Sequence, residues 1–110
     1  MNRNSADSFI PAEIKSSPDL PPLWGRLTSL SPGGAELLSH FEFPAGKALA
    51  LTFVLGGTAF AEVRARIAAA ARDADGYYNY SLSFTDRAQA EGLRAAIAGA
   101  LPQRFEAGPQ

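Results

Sequence analysis

The sequence predicts a mainly β domain: six short strands followed by one C-terminal α-helix. Three observations carry that reading. Apolar and polar residues alternate over short runs, most cleanly in Lys47–Leu55 and Tyr77–Phe84. Glycine- and proline-rich turns separate the runs, at Ser31-Pro32-Gly33-Gly34, Phe43-Pro44-Ala45-Gly46, Gly56-Gly57 and Asp75-Gly76. After Phe84 the period lengthens, and Ala90, Leu93, Ile97, Ala100 and Leu101 recur at three and four, the stripe of an amphipathic helix. Closely spaced strands of this kind fold into an antiparallel barrel or sandwich, with the helix covering an open end or edge.

In chain order, Ser8–Ser17 places Ile10, Ala12 and Ile14 at spacing two. Pro11 puts this strand near an edge or bulge, because proline donates nothing to a ladder. Pro18-Asp19-Leu20-Pro21-Pro22 is a connector stiffened by its prolines. Trp24–Leu30 is the second strand, and Gly33-Gly34 offers positive φ for the turn that ends it. Ala35–Leu38 is a short third strand. In Lys47–Leu55, Leu49, Leu51, Phe53 and Leu55 share one face, while Ala48, Ala50, Thr52 and Val54 share the other; Gly56-Gly57 then closes a hairpin. Phe60–Arg72 is ambiguous. Its alanines favour helix. Yet Arg64, Arg66 and Arg72 fall on even positions, while Val63, Ala65, Ile67, Ala69 and Ala71 fall on odd ones. The short turns on both sides decide for a strand. Tyr78, Tyr80, Leu82 and Phe84 face inward from the sixth strand. Thr85 or Asp86 caps the helix, Gln89 supplies a partial capping box, and Pro102 ends it. Residues 1–7 are expected to be flexible, residues 8–102 form the domain, and residues 103–110 are a flexible tail.

Length and composition fit one globular domain, since 110 residues at 46% hydrophobic can close a single core without staples. The longest nearly apolar run, Ala48–Phe60, is interrupted by Thr52, Gly56, Gly57 and Thr58 and is too short to span a bilayer. The opening MNRNSADSFIPAEIK has no secretory apolar stretch. These features predict a soluble, cytoplasmic protein without membrane insertion. With 10 Lys+Arg against 11 Asp+Glu, the net charge of -1 argues against a general nucleic-acid binder, though not against a small anion held by a few placed arginines. No cysteine is present, which removes disulfides, thiolate metal sites and cysteine nucleophiles. His40 is the only imidazole and has no partners for a metal site or triad, and no Walker loop occurs. The chain is therefore not expected to be an enzyme, nor to hold a cofactor or metal.

The segment Gly25-Arg26-Leu27-Thr28-Ser29-Leu30-Ser31-Pro32-Gly33-Gly34-Ala35-Glu36-Leu37 resembles the PilZ family. Those domains carry a strand ending in (Asp/Asn)-x-Ser-x-x-Gly, then a small residue and a short strand. Ser31 and Gly34 match the Ser and Gly, while Ser29 stands in place of the Asp or Asn. The order of elements is also PilZ-like from about residue 8 to residue 101. The resemblance implies a six-stranded antiparallel β-barrel acting in bacterial cyclic di-GMP signalling. It also implies an Arg-x-x-x-Arg motif before the first strand, whose arginines hold phosphates and guanine edges. This chain offers Arg3 there, and the residue four on is Asp7. Ser29, Ser31, Gly34 and Arg3 are thus the implied ligand-binding positions, with Arg26 as a substitute for the missing arginine.

A charge-assisted hydrogen bond contributes roughly 1.5–3 kcal/mol, so losing one arginine and the carboxylate weakens binding by roughly two to four powers of ten. The preferred reading is accordingly a PilZ-like adaptor with weak or lost cyclic di-GMP binding that acts on an unidentified protein partner. The alternative is a working receptor using the residual Ser-x-x-Gly.

Other features have a functional and an ordinary reading. Arg64, Arg66 and Arg72 form either a basic row for an anion or a solvated strand face. Tyr77, Tyr78 and Tyr80 could stack bases, but Tyr78 and Tyr80 are expected in the core and Tyr77 on the surface. Trp24 is expected in the core or plugging a barrel end. Glu42, Glu62, Asp73 and Asp75 show no spacing that singles them out for acid–base work. The Leu93/Ile97/Leu101 face of the helix is expected to pack on the barrel.

Overall fold

The computed structural model describes residues 9–100. Six strands form a closed antiparallel barrel: β1 (Ile10–Lys15), β2 (Leu23–Ser31), β3 (Gly34–Ser39), β4 (Ala48–Leu55), β5 (Thr58–Arg72) and β6 (Tyr78–Phe84). A helix, α1 (Arg87–Ala100), follows. The strands run β1-β2-β3-β6-β5-β4 around the barrel, and the β1–β4 ladder closes it. The barrel alternative is thus the one realised, and closure leaves no free sheet edge running the length of the fold.

Alternation builds the core directly. Leu49, Leu51, Phe53 and Leu55 from β4 are all buried, as are Val63, Ala65 and Ile67 from β5 and Tyr80 and Leu82 from β6. Gly56 and Gly57 adopt φ of 59° and 84°, the pair of positive values that a two-residue hairpin matching the strand twist demands. Pro11 lies in the part of β1 paired with β2 alone, beyond the last β1–β4 pair at Glu13 and Thr52, so its missing N–H interrupts no bond to β4. Asp86 is the helix cap: its Oδ1 accepts from the Gln89 N–H at 3.0 Å. Leu93 is fully buried, and Ala96 and Ile97 pack beside it against the barrel. Leu101 and the two terminal segments lie outside the described residues.

Three β-bulges shift the alternation where the sequence carries no warning. Thr28 is the extra residue in β2, so Leu27 and Leu30 both face inward and Ser29 and Ser31 both face out. Ala61 and Glu62 oppose the single residue Thr52, and Glu62 adopts a φ of 52°. Ala68 is extra between the pairs Ile67–Leu82 and Ala69–Ser81. The last bulge corrects the even–odd reading of β5. Ala69 and Ala71 are exposed opposite Ser81 and Asn79, and Arg72 moves to the Tyr78 side, its guanidinium 5.6 Å from that ring. Arg72 is therefore not in one row with Arg64 and Arg66.

Trp24 is also corrected. It is 63% exposed, because Leu23, Gly25 and Leu27 take the inward positions of β2 and leave Trp24 and Arg26 on the outer surface. Gly25 is required inside: a Cβ there would come within 2.9 Å of Ile14 Cδ1 and 3.0 Å of the Leu38 carbonyl oxygen. The aromatic ring has no inward slot to occupy.

Candidate functional site

The turn between β2 and β3 is built by close packing. Gly33 and Gly34 do not adopt positive φ, contrary to the expectation for this turn; the positive values fall at Gly46, Gly56, Gly57 and Gly76. Gly34 is required for a different reason. A Cβ at this position would lie 2.0 Å from the Leu82 carbonyl oxygen, so only glycine lets β3 approach β6 here. Gly33 has open space around its Cα, and its carbonyl accepts from the Phe84 N–H at 3.0 Å. The Ser31 hydroxyl donates to the Gly34 carbonyl at 3.2 Å, closing the turn on itself.

Ser29, Ser31 and Gly34 meet around a shallow hollow of about 300 Å3, with Gly33, Ala35, Glu36 and Leu82. Ser29 is directly paired with Glu36 on β3. Glu36 is the residue that motif reasoning missed. Its Oε2 accepts from the Ser81 hydroxyl at 3.0 Å, which ties the carboxylate to β6, on the side of β3 away from Ser29. An ionisable acceptor therefore lines the hollow, contributed by β3 rather than by position 29. The same carboxylate opposes any phosphate placed there. No arginine or lysine lines the hollow among the described residues. Arg26 does not join it: its guanidinium sits over the Phe9 ring, 5.0 Å from the centroid. Arg3 lies outside the described residues.

Tyr80 is fully buried and structural. Its hydroxyl donates to the Phe41 carbonyl at 2.7 Å and accepts from the Phe43 N–H at 2.8 Å, tying the loop after β3 to the core. Burial holds its phenol above the ordinary value; the Phe43 N–H pulls the other way, and Glu42 and Tyr78 add to the rise. Tyr78 is half-buried, beside Tyr80 with centroids 6.1 Å apart and with the Arg72 guanidinium over its ring. Tyr77 lies just before β6 and meets the exposed His40 edge to face at 4.1 Å. Among the described residues no three His, Asp or Glu side chains gather as a metal ion would need.

An apolar strip occupies the outer surface where β1 and β4 part. Trp24, Pro11, Val54 and Ala59 surround a depression of about 330 Å3, with Glu13 as its charged member. Val54 is 57% exposed and Trp24 63%, an unusual pair of large apolar side chains left open to water.

No known protein-family model matches the chain, and no curated protein matches it. The closed six-stranded barrel with one C-terminal helix is broadly compatible with the PilZ architecture.

Proposed function

We propose that this chain is a small regulatory module of the PilZ kind in bacterial cyclic di-GMP signalling. In this reading it binds the nucleotide weakly or not at all and acts through contact with another protein. It is a binding module rather than a catalyst. The observation that carries the reading is the hollow at the β2–β3 turn: Ser31 and Gly34 line it, and among the described residues its walls offer Glu36 and no cation. A bis-phosphate ligand needs positive charge at its phosphates, and each missing charge-assisted bond removes roughly 1.5–3 kcal/mol. The open Trp24–Val54 strip supports a protein-contact role, since exposed apolar patches of this sort mark interaction surfaces.

A second reading rests on Glu36. Its carboxylate lines the hollow with Ser29, and the oxygen not held by Ser81 can accept from the donor edge of guanine, in place of the family's Asp or Asn. Titration calorimetry with cyclic di-GMP separates the two. The first predicts no heat, or a weak isotherm. A dissociation constant below about 1 μM, near -8 kcal/mol, refutes it in favour of the second.

A further inference from the structure

A groove on another face of the barrel gathers cations that the β2–β3 turn lacks. Lys15 of β1 is paired with Ala50 of β4, and Ala50 with Arg64 of β5, so the three form one row across the strands. Ala48 and Arg66 are paired two residues along. Neighbouring strands lie roughly 4.8 Å apart, so the backbones of Lys15 and Arg64 are separated by about 10 Å, with only an alanine methyl between them. Both side chains are long enough to meet over that methyl. Ala48 and Ala50 form a low floor, and the groove encloses about 520 Å3. Small-molecule clefts span roughly 300–1,000 Å3.

Among the described residues no carboxylate forms an ion pair with these cations. The only ion pair among the described residues is Glu91–Arg94, on the helix. Arg66 Nη1 donates to the Gly46 carbonyl at 3.0 Å, which fixes the guanidinium at one end of the groove. Ser16, Ser17 and Thr85 also line it and bring neutral hydroxyls. Glu62 closes the opposite end. It sits on the strained bulge, its N–H donating to Thr52 Oγ1 at 3.1 Å. A carboxylate at that end repels a polyacidic peptide threading along the floor, but leaves the Lys15–Arg64 row free for one compact anion.

We propose that this groove binds a phosphorylated small molecule, its phosphate seated over Ala50 between Lys15 and Arg64 and a second acceptor group reaching Arg66. Arginine supplies a planar fork of donors to phosphate oxygens and lysine a mobile point charge, and phosphate recognition uses both. Glu62 is then available to accept from a ligand hydroxyl or amine at the far end. This inference stands apart from the reading of the β2–β3 turn.

The test is an NMR titration of the 15N-labelled full chain with pyrophosphate at constant ionic strength, with hexaglutamate as a second probe. Pyrophosphate is expected to move the amide signals of Lys15, Ala50 and Arg64 saturably, with a millimolar or tighter dissociation constant. Lys15→Gln and Arg64→Gln should each weaken it about tenfold or more. Both side chains are exposed, so the variants keep the wild-type spectrum elsewhere. Non-saturable shifts at these residues at tens of millimolar, or shifts confined to Ser29–Glu36, overturn the proposal. Tighter saturation by hexaglutamate overturns it in favour of an acidic peptide.

Discussion

The side-chain amide of Gln89 clamps the Glu62 bulge from the helix: its Nε2 donates to the Glu62 carbonyl at 3.0 Å and its Oε1 accepts from the Arg64 N–H at 2.8 Å. Two backbone groups at the bulge are satisfied by one side chain from α1, and the Glu62 N–H by Thr52 Oγ1. Glu62 itself holds a φ of 52°, uncommon for a residue with a Cβ. Gln89→Ala is expected to lower stability by about 1 kcal/mol, read as an earlier urea midpoint at unchanged m-value. Glu62→Gly removes the Cβ penalty and should be neutral or stabilising by up to about 1 kcal/mol, whereas Glu62→Val should destabilise by more than Gln89→Ala does.

Gly33 and Gly34 are adjacent but should respond oppositely to alanine. The Leu82 carbonyl blocks a Cβ at Gly34, and that obstacle is backbone, which cannot swing aside. Gly34→Ala is expected to cost about 3 kcal/mol or more, by forcing β3 and β6 apart. Gly33→Ala meets nothing within 4 Å and should change the thermal midpoint little. Thermal unfolding of the two variants, followed by circular dichroism, checks the contrast.

Tyr80 makes the fold sensitive to alkali. Its phenol ionises at higher pH when folded than when unfolded, because burial disfavours the phenolate. The unfolded chain therefore releases this proton first as pH rises. The associated stability is fully present below the unfolded value of about 10 and is lost as pH climbs toward the raised folded value. Tyr80→Phe should flatten that alkaline decline in denaturant midpoints. It should also cost about 1–3 kcal/mol at neutral pH, since it leaves the Phe41 carbonyl and Phe43 N–H without their partner.

Rebuilding the nucleotide motif has to reckon with Glu36. Ser29→Asp alone sets two carboxylates directly opposite one another on β2 and β3, an unfavourable cross-strand pair. Ser29→Asp combined with Glu36→Gln and Ser8→Arg should raise cyclic di-GMP affinity by about tenfold to a hundredfold over the wild type, measured by calorimetry. No gain from the triple variant would mean that the ligand site is not at this turn.

What the sequence made legible, and what it hid, follows from how each feature is encoded. β4 was readable because four large apolar residues alternate without interruption, and every one of them is buried. The strand assignment of Phe60–Arg72 rests on the short turns on both sides, with the arginines at even positions in support, and β5 covers that stretch and begins two residues earlier, at Thr58. Its facing failed past Ile67, because a bulge within a run of alanines changes no residue type and leaves no trace in a hydropathy pattern. Trp24 was misplaced by its size; the decisive residue was Gly25, whose missing side chain marks the inward position. Ser31 and Gly34 are neighbours at the β2–β3 turn, joined by the bond from the Ser31 hydroxyl to the Gly34 carbonyl. The Glu36 contact leaves no local signal, and Gln89 reads only as a capping-box residue although its side chain goes to β5, because their partners lie 45 and 27 residues away in sequence, at Ser81 and Glu62, and only the fold brings them close.

The barrel has a seam beside Pro11 that is only half sewn. Pairing between β1 and β4 stops at Glu13 and Thr52, so Ile10–Ala12 and Phe53–Leu55 each hold to a single neighbouring strand. Thermal breathing should start at this gap and unzip toward Lys15, making the amides beside it the first to exchange with deuterium while those of the β5–β6 ladder stay protected longest.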